Sequence, residues 1–206
     1  MTITHLGHAC VLYSTPADRV LIDPGTLSSF SDLRDLTAVL VTHEHADHVD
    51  VPGVLALLEA NPSAWLVCDS RTAASVPSAT VANPGDSLSL GDVTVSVLGG
   101  THAPVYGDVP DCPNLAYLLD DGALLHPGDS FFVPEQKIDV LGLPTGAPWL
   151  KAGEAVDFLR AVAPRKSVPI HEAVLSSPAL HYGLFENLAP QGTEVQVVER
   201  GVATQL

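Results

Sequence analysis

Six consecutive residues, His43-Glu44-His45-Ala46-Asp47-His48, carry three imidazoles and two carboxylates, of which Asp47 belongs to the HxHxDH pattern, just behind the apolar run Ala38-Val39-Leu40-Val41. The pattern limits what the chain can fold into: the apolar run must be a buried strand, and the polar residues must sit where the chain leaves it. Neutral imidazole is the commonest protein ligand for a metal, and carboxylate oxygen completes sites for divalent ions. One histidine there would be a polar loop residue. HxHxDH instead points to a metal centre to which the rest of the chain must bring further ligands.

Taken in order, the chain predicts short strands at 3–6, 10–13, 20–22 and 39–41, separated by Gly7, Pro16-Ala17-Asp18 and Pro24-Gly25. Pro52 is placed to start a helix whose apolar face is Val54, Leu55, Leu57 and Leu58, and Asn61-Pro62 ends it. The cluster therefore lies on a strand-to-helix loop. Further strands are expected at 65–68, 93–97, 115–119, 123–126, 138–143, 167–170 and 194–198, with helical segments through Ala73-Ala74, at 155–162 and at 179–188. This alternation predicts a layered α/β domain, one domain over residues 1–206.

Four strand-like segments run into a potential ligand: Val41 into His43, Val97 into His102, Leu125 into Asp129 and Ile170 into His171. Strand ends that meet on one edge of a layered fold are where sites are built. The seven donors are enough for two ions about 3.5–4 Å apart sharing one carboxylate.

Composition removes other classes. Nine Lys and Arg against 24 Asp and Glu give a net charge of −15, and the few basic residues form no stripe, so a phosphate backbone would be repelled and nucleic acid is not expected as a partner. No apolar run approaches the roughly 18–20 residues that span a bilayer, so no membrane partner is expected. Met1-Thr2-Ile3-Thr4-His5 shows no secretory pattern. Cys10, Cys68 and Cys112 are odd in number and far apart, which fits reduced thiols and a cytoplasmic protein. Cys10 and Cys68 read as buried packing residues; Cys112, on the loop 103–113, reads as a bystander, the alternative being an exposed thiol near the site.

The order of HxHxDH, His102, Gly128-Asp129-Ser130 and His171 resembles the metallo-β-lactamase superfamily over nearly the whole chain. Gly7-His8-Ala9-Cys10, Leu21-Ile22-Asp23-Pro24, His126-Pro127-Gly128-Asp129-Ser130, Pro148-Trp149 and Val168-Pro169-Ile170-His171 look like its compact branch of L-ascorbate-6-phosphate lactonase-like hydrolases. The resemblance implies a four-layer αββα sandwich with the site at one edge of two facing sheets. It implies His43, His45 and His102 on one metal, Asp47, His48 and His171 on the other, and Asp129 between them. It also makes His8 and His126 candidates for supporting the ligands.

Such a site implies a dinuclear metal-dependent hydrolase in which a bridging hydroxide attacks an ester, lactone, amide or phosphodiester of a small-molecule substrate. Two divalent ions are expected, zinc first, with manganese or iron compatible with the same donors. Catalytic roles fall to Asp129, to His181 as leaving-group acid and to Asp47 as a second candidate for that role. Asp23, just past a strand, is placed to accept a hydrogen bond from a ligand imidazole, though it equally suits the turn before Pro24. Residues 103–114, 131–134 and 145–149 should select the substrate. They are poor in basic residues, with Lys137 and Lys151 the only ones expected nearby, so a neutral or weakly charged substrate is favoured. Alternatives are an iron-containing redox or sensory protein with the same donors, a module that keeps a metal only for structure, and, disfavoured by charge, a nuclease. Self-association into a homo-oligomer is left open.

Overall fold

A computed structural model describes residues 1–206. In chain order the strands are β1 (Thr2–Gly7), β2 (Cys10–Ser14), β3 (Arg19–Ile22), β4 (Ala38–Leu40), β5 (Trp65–Cys68), β6 (Thr80–Val81), β7 (Ser87–Leu90), β8 (Val93–Gly99), β9 (Leu115–Leu119), β10 (Leu124–His126), β11 (Val140–Pro144), β12 (Lys166–Ile170), β13 (Glu194–Val195) and β14 (Thr204–Gln205). The helices are α1 (Val51–Ala60), α2 (Ala152–Val162) and α3 (Ala179–Leu188). One seven-stranded sheet runs β14-β1-β2-β3-β4-β5-β6, and the other runs β13-β12-β11-β10-β9-β8-β7.

Side-chain alternation explains the layers. In β3, Val20 and Ile22 join the cluster between the sheets, whereas Leu21 packs on the outer face with Val54 and Leu57 of α1. In β9, Leu115, Tyr117 and Leu119 face the other sheet, and Ala116 and Leu118 pack outward with Phe158 and Leu159 of α2 and Phe185 of α3. Strands covered on both faces read as nearly unbroken apolar runs, as they do here. The result is helix, sheet, sheet, helix: the expected αββα sandwich. No helix is long and apolar enough to cross a membrane.

Two helix ends show their sequence causes. Asn61 stops α1 by donating its side-chain amide to the Leu57 carbonyl at 2.8 Å while its Oδ1 accepts Leu36 N–H at 3.1 Å. Ala163 ends α2 in the left-handed region at φ 46°, ahead of Pro164, which cannot continue the helix.

Strand direction positions the site. The pairings make β1, β3, β4 and β5 run the same way in the first sheet, and β8, β10, β11 and β12 in the second. Their carboxyl ends meet at one edge, where the sheets are tied together. Tyr117 donates its hydroxyl to the Val41 carbonyl, Leu115 N–H bonds the Thr42 carbonyl, and His171 N–H bonds the His8 carbonyl, each at 2.8 Å. His8, Asp23 and His171 leave their strands with φ of 53°, 51° and 62°. Such left-handed backbone costs roughly 1–3 kcal/mol per residue, no more than one fully buried Leu or Ile side chain contributes (about 1.5–3 kcal/mol). A double core can hold that strain, and strain of this kind gathers at functional sites.

Candidate metal centre

The seven expected ligands come together at that edge. His43, His45, His102 and Asp129 form one group whose ligand atoms all lie within 4.8 Å of one another, and Asp47, His48 and His171 form a second that also contains His8. Asp129 straddles both: its Oδ1 is 3.1 Å from Nε2 of His48 and of His171, and its Oδ2 is 3.2 Å from Nε2 of His102. His43 Nε2 and His45 Nδ1 are 3.0 Å apart.

The protonation of each imidazole follows from its outer partner. Thr42 gives its hydroxyl proton to Asp23 Oδ2 at 2.8 Å, so its oxygen must accept from His43 Nδ1–H at 3.0 Å. His48 Nδ1–H donates to Asp23 Oδ2 at 2.7 Å, His102 Nδ1–H to the Ala103 carbonyl at 2.5 Å, and His171 Nδ1–H to the Gly146 carbonyl at 2.7 Å. In all four the Nε2 lone pair then points inward. With both rings in the neutral form that coordinates metal, His48 and His171 oppose two lone pairs at 3.1 Å, with a carboxylate oxygen equally close, unless a cation, a proton or a metal, lies between them. His102 Nε2 and Asp129 Oδ1 are buried and make no hydrogen bond of acceptable geometry. Converging lone pairs and orphaned buried atoms are costly unless a cation lies among them, so the donor set fits metal.

Titration behaviour agrees. Burial opposes charging His48, yet Asp129 and Asp23 hold its pKa well above the ordinary imidazole value. A proton on Nε2 thus occupies the place a metal would take, and metal entry must displace it. Burial keeps His43 and His45 neutral, the coordinating form. Burial also resists ionising Asp129, but His48, His102 and His171 around it hold its carboxyl well below the usual range. At Asp47, burial is outweighed by the hydrogen bond from His8 and by His48 and His171, which bring its pKa down to about 2.

A supporting layer fixes these groups. Asp23, completely buried, accepts Thr42 N–H on Oδ1 at 2.8 Å in addition to its bonds to Thr42 and His48 through Oδ2. Trp149 donates its indole N–H to Asp129 Oδ2 at 2.8 Å. Asn114 accepts Asp129 N–H at 2.9 Å and donates to the Pro127 carbonyl at 2.9 Å. Gly128 is required where it stands: at φ 59°, an added Cβ would lie 2.3 Å from Asn114 Oδ1. His126 bonds the Ala9 carbonyl through Nε2 and Gly128 N–H through Nδ1, so both nitrogens are committed to the scaffold.

Several expectations are corrected. His181 is not brought to the cluster: it lies on the first turn of α3, its Nδ1 has no partner, and its ring neighbours Phe185 at 6.4 Å. Cys112 is buried rather than exposed, its Sγ 3.9 Å from His45 Nε2, and burial pushes the thiol pKa up to about 11. Lys137 is at the opposite edge, where its carbonyl packs against Gly122 ahead of β10. The basic residue that does reach the rim is Arg71, which pairs with Glu44 inside HxHxDH and donates to the Asp111 carbonyl at 3.3 Å. Thr42, Asn114, Arg71 and the Gly146 carbonyl carried no sequence signal beyond Thr42 adjoining His43, because each acts through contacts distant in the chain or through backbone.

A cleft of about 510 Å³ opens beside His102, lined by residues that include Ala103, Pro104, Ser130, Phe131 and Phe132. A larger depression of about 780 Å³ surrounds Asp120, Lys137, Asp139 and Arg165 at the amino ends of β10 to β12, away from every clustered residue.

Comparison with known proteins places this geometry. A family model described as a beta-lactamase superfamily domain matches residues 2–171. Protein Rv0786c of Mycobacterium tuberculosis is 42% identical, covering 98% of this chain and 99% of its own. A UPF0173 metal-dependent hydrolase of Methanoregula boonei is 26% identical over 96% of this chain and 93% of its own. The crystal structure of the metallo-beta-lactamase fold protein YhfI from Bacillus subtilis superposes with a TM-score of 0.78 at 14% identity, covering 98% of each chain, which shows the shared fold.

Proposed function

The chain belongs to the beta-lactamase superfamily and is a metal-dependent hydrolase, and on that premise we propose that it works with two ions on a small, neutral or weakly charged substrate. The observation that carries the two-ion reading is the inward convergence of four Nε2 lone pairs on a carboxylate that reaches both groups. His43, His45 and His102 would hold one ion, Asp47, His48 and His171 the other, and Asp129 both. Bound there, two divalent ions lower the pKa of water toward neutrality and polarise the oxygen of the bond under attack. Zinc suits the nitrogen and oxygen donors, as manganese and iron do.

The chain's own residues supply the rest. Trp149 and Asn114 hold Asp129 at its side chain and its backbone N–H, and the four outer partners keep the imidazoles in their coordinating tautomers. Asp47 is a carboxylate at neutral pH and is partly exposed. Its position in the cluster, rather than its basicity, which the low pKa makes weak, suits it to relay a proton from the attacking water to the leaving group. At the rim, Arg71 is engaged by Glu44 and the Asp111 carbonyl, so it is not free to grip a phosphate. The apolar lining of Phe131, Phe132 and Pro104 favours an uncharged ester, lactone or amide over a phosphodiester. Unpaired cysteines fit a cytoplasmic setting.

The test is a hydrolysis screen on chelated protein before and after reconstitution with zinc or manganese. One class among lactones, esters, amides and phosphodiesters should be cleaved only after metal is restored. Equal cleavage by metal-free protein, or none in any class after reconstitution, would refute the reading.

A further inference from the structure

His8 lies in the second group of possible ligands, with Asp47, His48 and His171, and by proximity alone it would count as a fourth donor there. Its hydrogen bonds run opposite to those of its neighbours. The backbone N–H of Ala173 donates to His8 Nδ1 at 3.3 Å, so that nitrogen carries a lone pair and the single proton of the neutral ring sits on Nε2. Nε2 points at Asp47 Oδ2, 3.1 Å away. In His43, His48, His102 and His171 the proton is on the outer nitrogen and the lone pair faces in; in His8 the proton faces in.

We propose that His8 is not a metal ligand but a positioning residue, whose Nε2–H holds Asp47 Oδ2 and so sets the orientation of that carboxylate toward the second ion. This rests on the two-ion reading and deepens it. The placement of His8 is over-determined. Its N–H donates to Glu172 Oε1 at 3.3 Å, and its carbonyl accepts from His171 N–H and from His5 Nε2, each at 2.8 Å. Its ring lies against that of His171 with centroids 3.7 Å apart. The backbone is held at φ 53°, a conformation that persists only where its surroundings fix it. Asp47 makes no other side-chain hydrogen bond, its next partner being His171 Nε2 at 3.7 Å, so His8 is the one donor that holds its partly exposed carboxylate.

The experiment compares His8→Leu, which removes the donor, with His8→Gln, which keeps an N–H of similar reach, as cobalt-loaded holoenzymes. X-ray absorption counts the imidazoles per ion, and chelator competition gives the affinity of each ion. A positioning role predicts an unchanged imidazole count in both variants, a 10–100-fold weaker second ion in His8→Leu, and recovery of most of that loss in His8→Gln. Loss of one imidazole from the second ion in both variants would overturn the proposal, as would an unaltered affinity in His8→Leu. Should the unaltered protein bind only one ion, the two-ion reading itself would fall, and this proposal with it; that outcome is read on the parent protein before any variant.

Discussion

Asp129→Ala should strip the ions from the protein and lower turnover by at least about 10³-fold, beyond the 10–100-fold typical of losing a partner outside the ligand set. The side chain reaches both groups, with Oδ1 3.1 Å from His48 and His171 Nε2 and Oδ2 3.2 Å from His102 Nε2. Its removal leaves Asp47 as the only carboxylate among the seven. It also leaves the buried Trp149 N–H without an acceptor, which costs about 1–3 kcal/mol of stability. Asp129→Asn separates the two effects: the amide oxygen can still accept from Trp149 while the charge is gone. This variant should unfold close to the parent metal-free protein yet bind metal poorly. Elemental analysis and turnover on the substrate found by the screen check both variants, and retention of both ions with full activity in Asp129→Ala would show that the carboxylate does not serve them.

The second large effect is expected from a residue that touches no ion. Asp23→Asn should weaken metal binding by 10–100-fold and destabilise the fold by about 1–3 kcal/mol. Asp23 accepts three protons, from Thr42 N–H, Thr42 Oγ1–H and His48 Nδ1–H, and is completely buried. An amide offers one acceptor oxygen and sets its NH₂ against a donor on the other side. If the NH₂ faces His48 Nδ1, the imidazole must move its proton to Nε2, where the lone pair is needed. The left-handed backbone at φ 51° is tolerated by Asn, so the change tests the hydrogen bonds rather than the turn. Chelator competition measures the first effect and thermal unfolding of the chelated protein the second. Parent-like values in both would mean that His48 does not depend on Asp23.

What the sequence made legible was whatever lies in consecutive residues. Runs such as 38–41 and 115–119 announce strands because both faces are buried, and HxHxDH, His102, Asp129 and His171 stand out because each follows a strand within a few residues. The edge strands β6, β7 and β14 were not expected: two are two residues long, and β7, Ser87–Leu90, has only Leu90 buried, so none carries a strong apolar pattern. A strand expected over 194–198 closes after Val195, since it pairs only with Lys166 and Ser167 of β12. In the site, ligand identity was local and the supporting bonds were not. Trp149 stands 20 residues from Asp129, and Asn114 stands 15 away. His181, expected as the leaving-group acid, lies on α3 with its ring beside Phe185.

The central claim is that the edge where His43, His48, His102, Asp129 and His171 converge holds two ions. It is tested most directly by elemental analysis of the unaltered protein after chelation, reconstitution with zinc and removal of excess metal. Close to two ions per chain are expected, and one ion or none would contradict the claim.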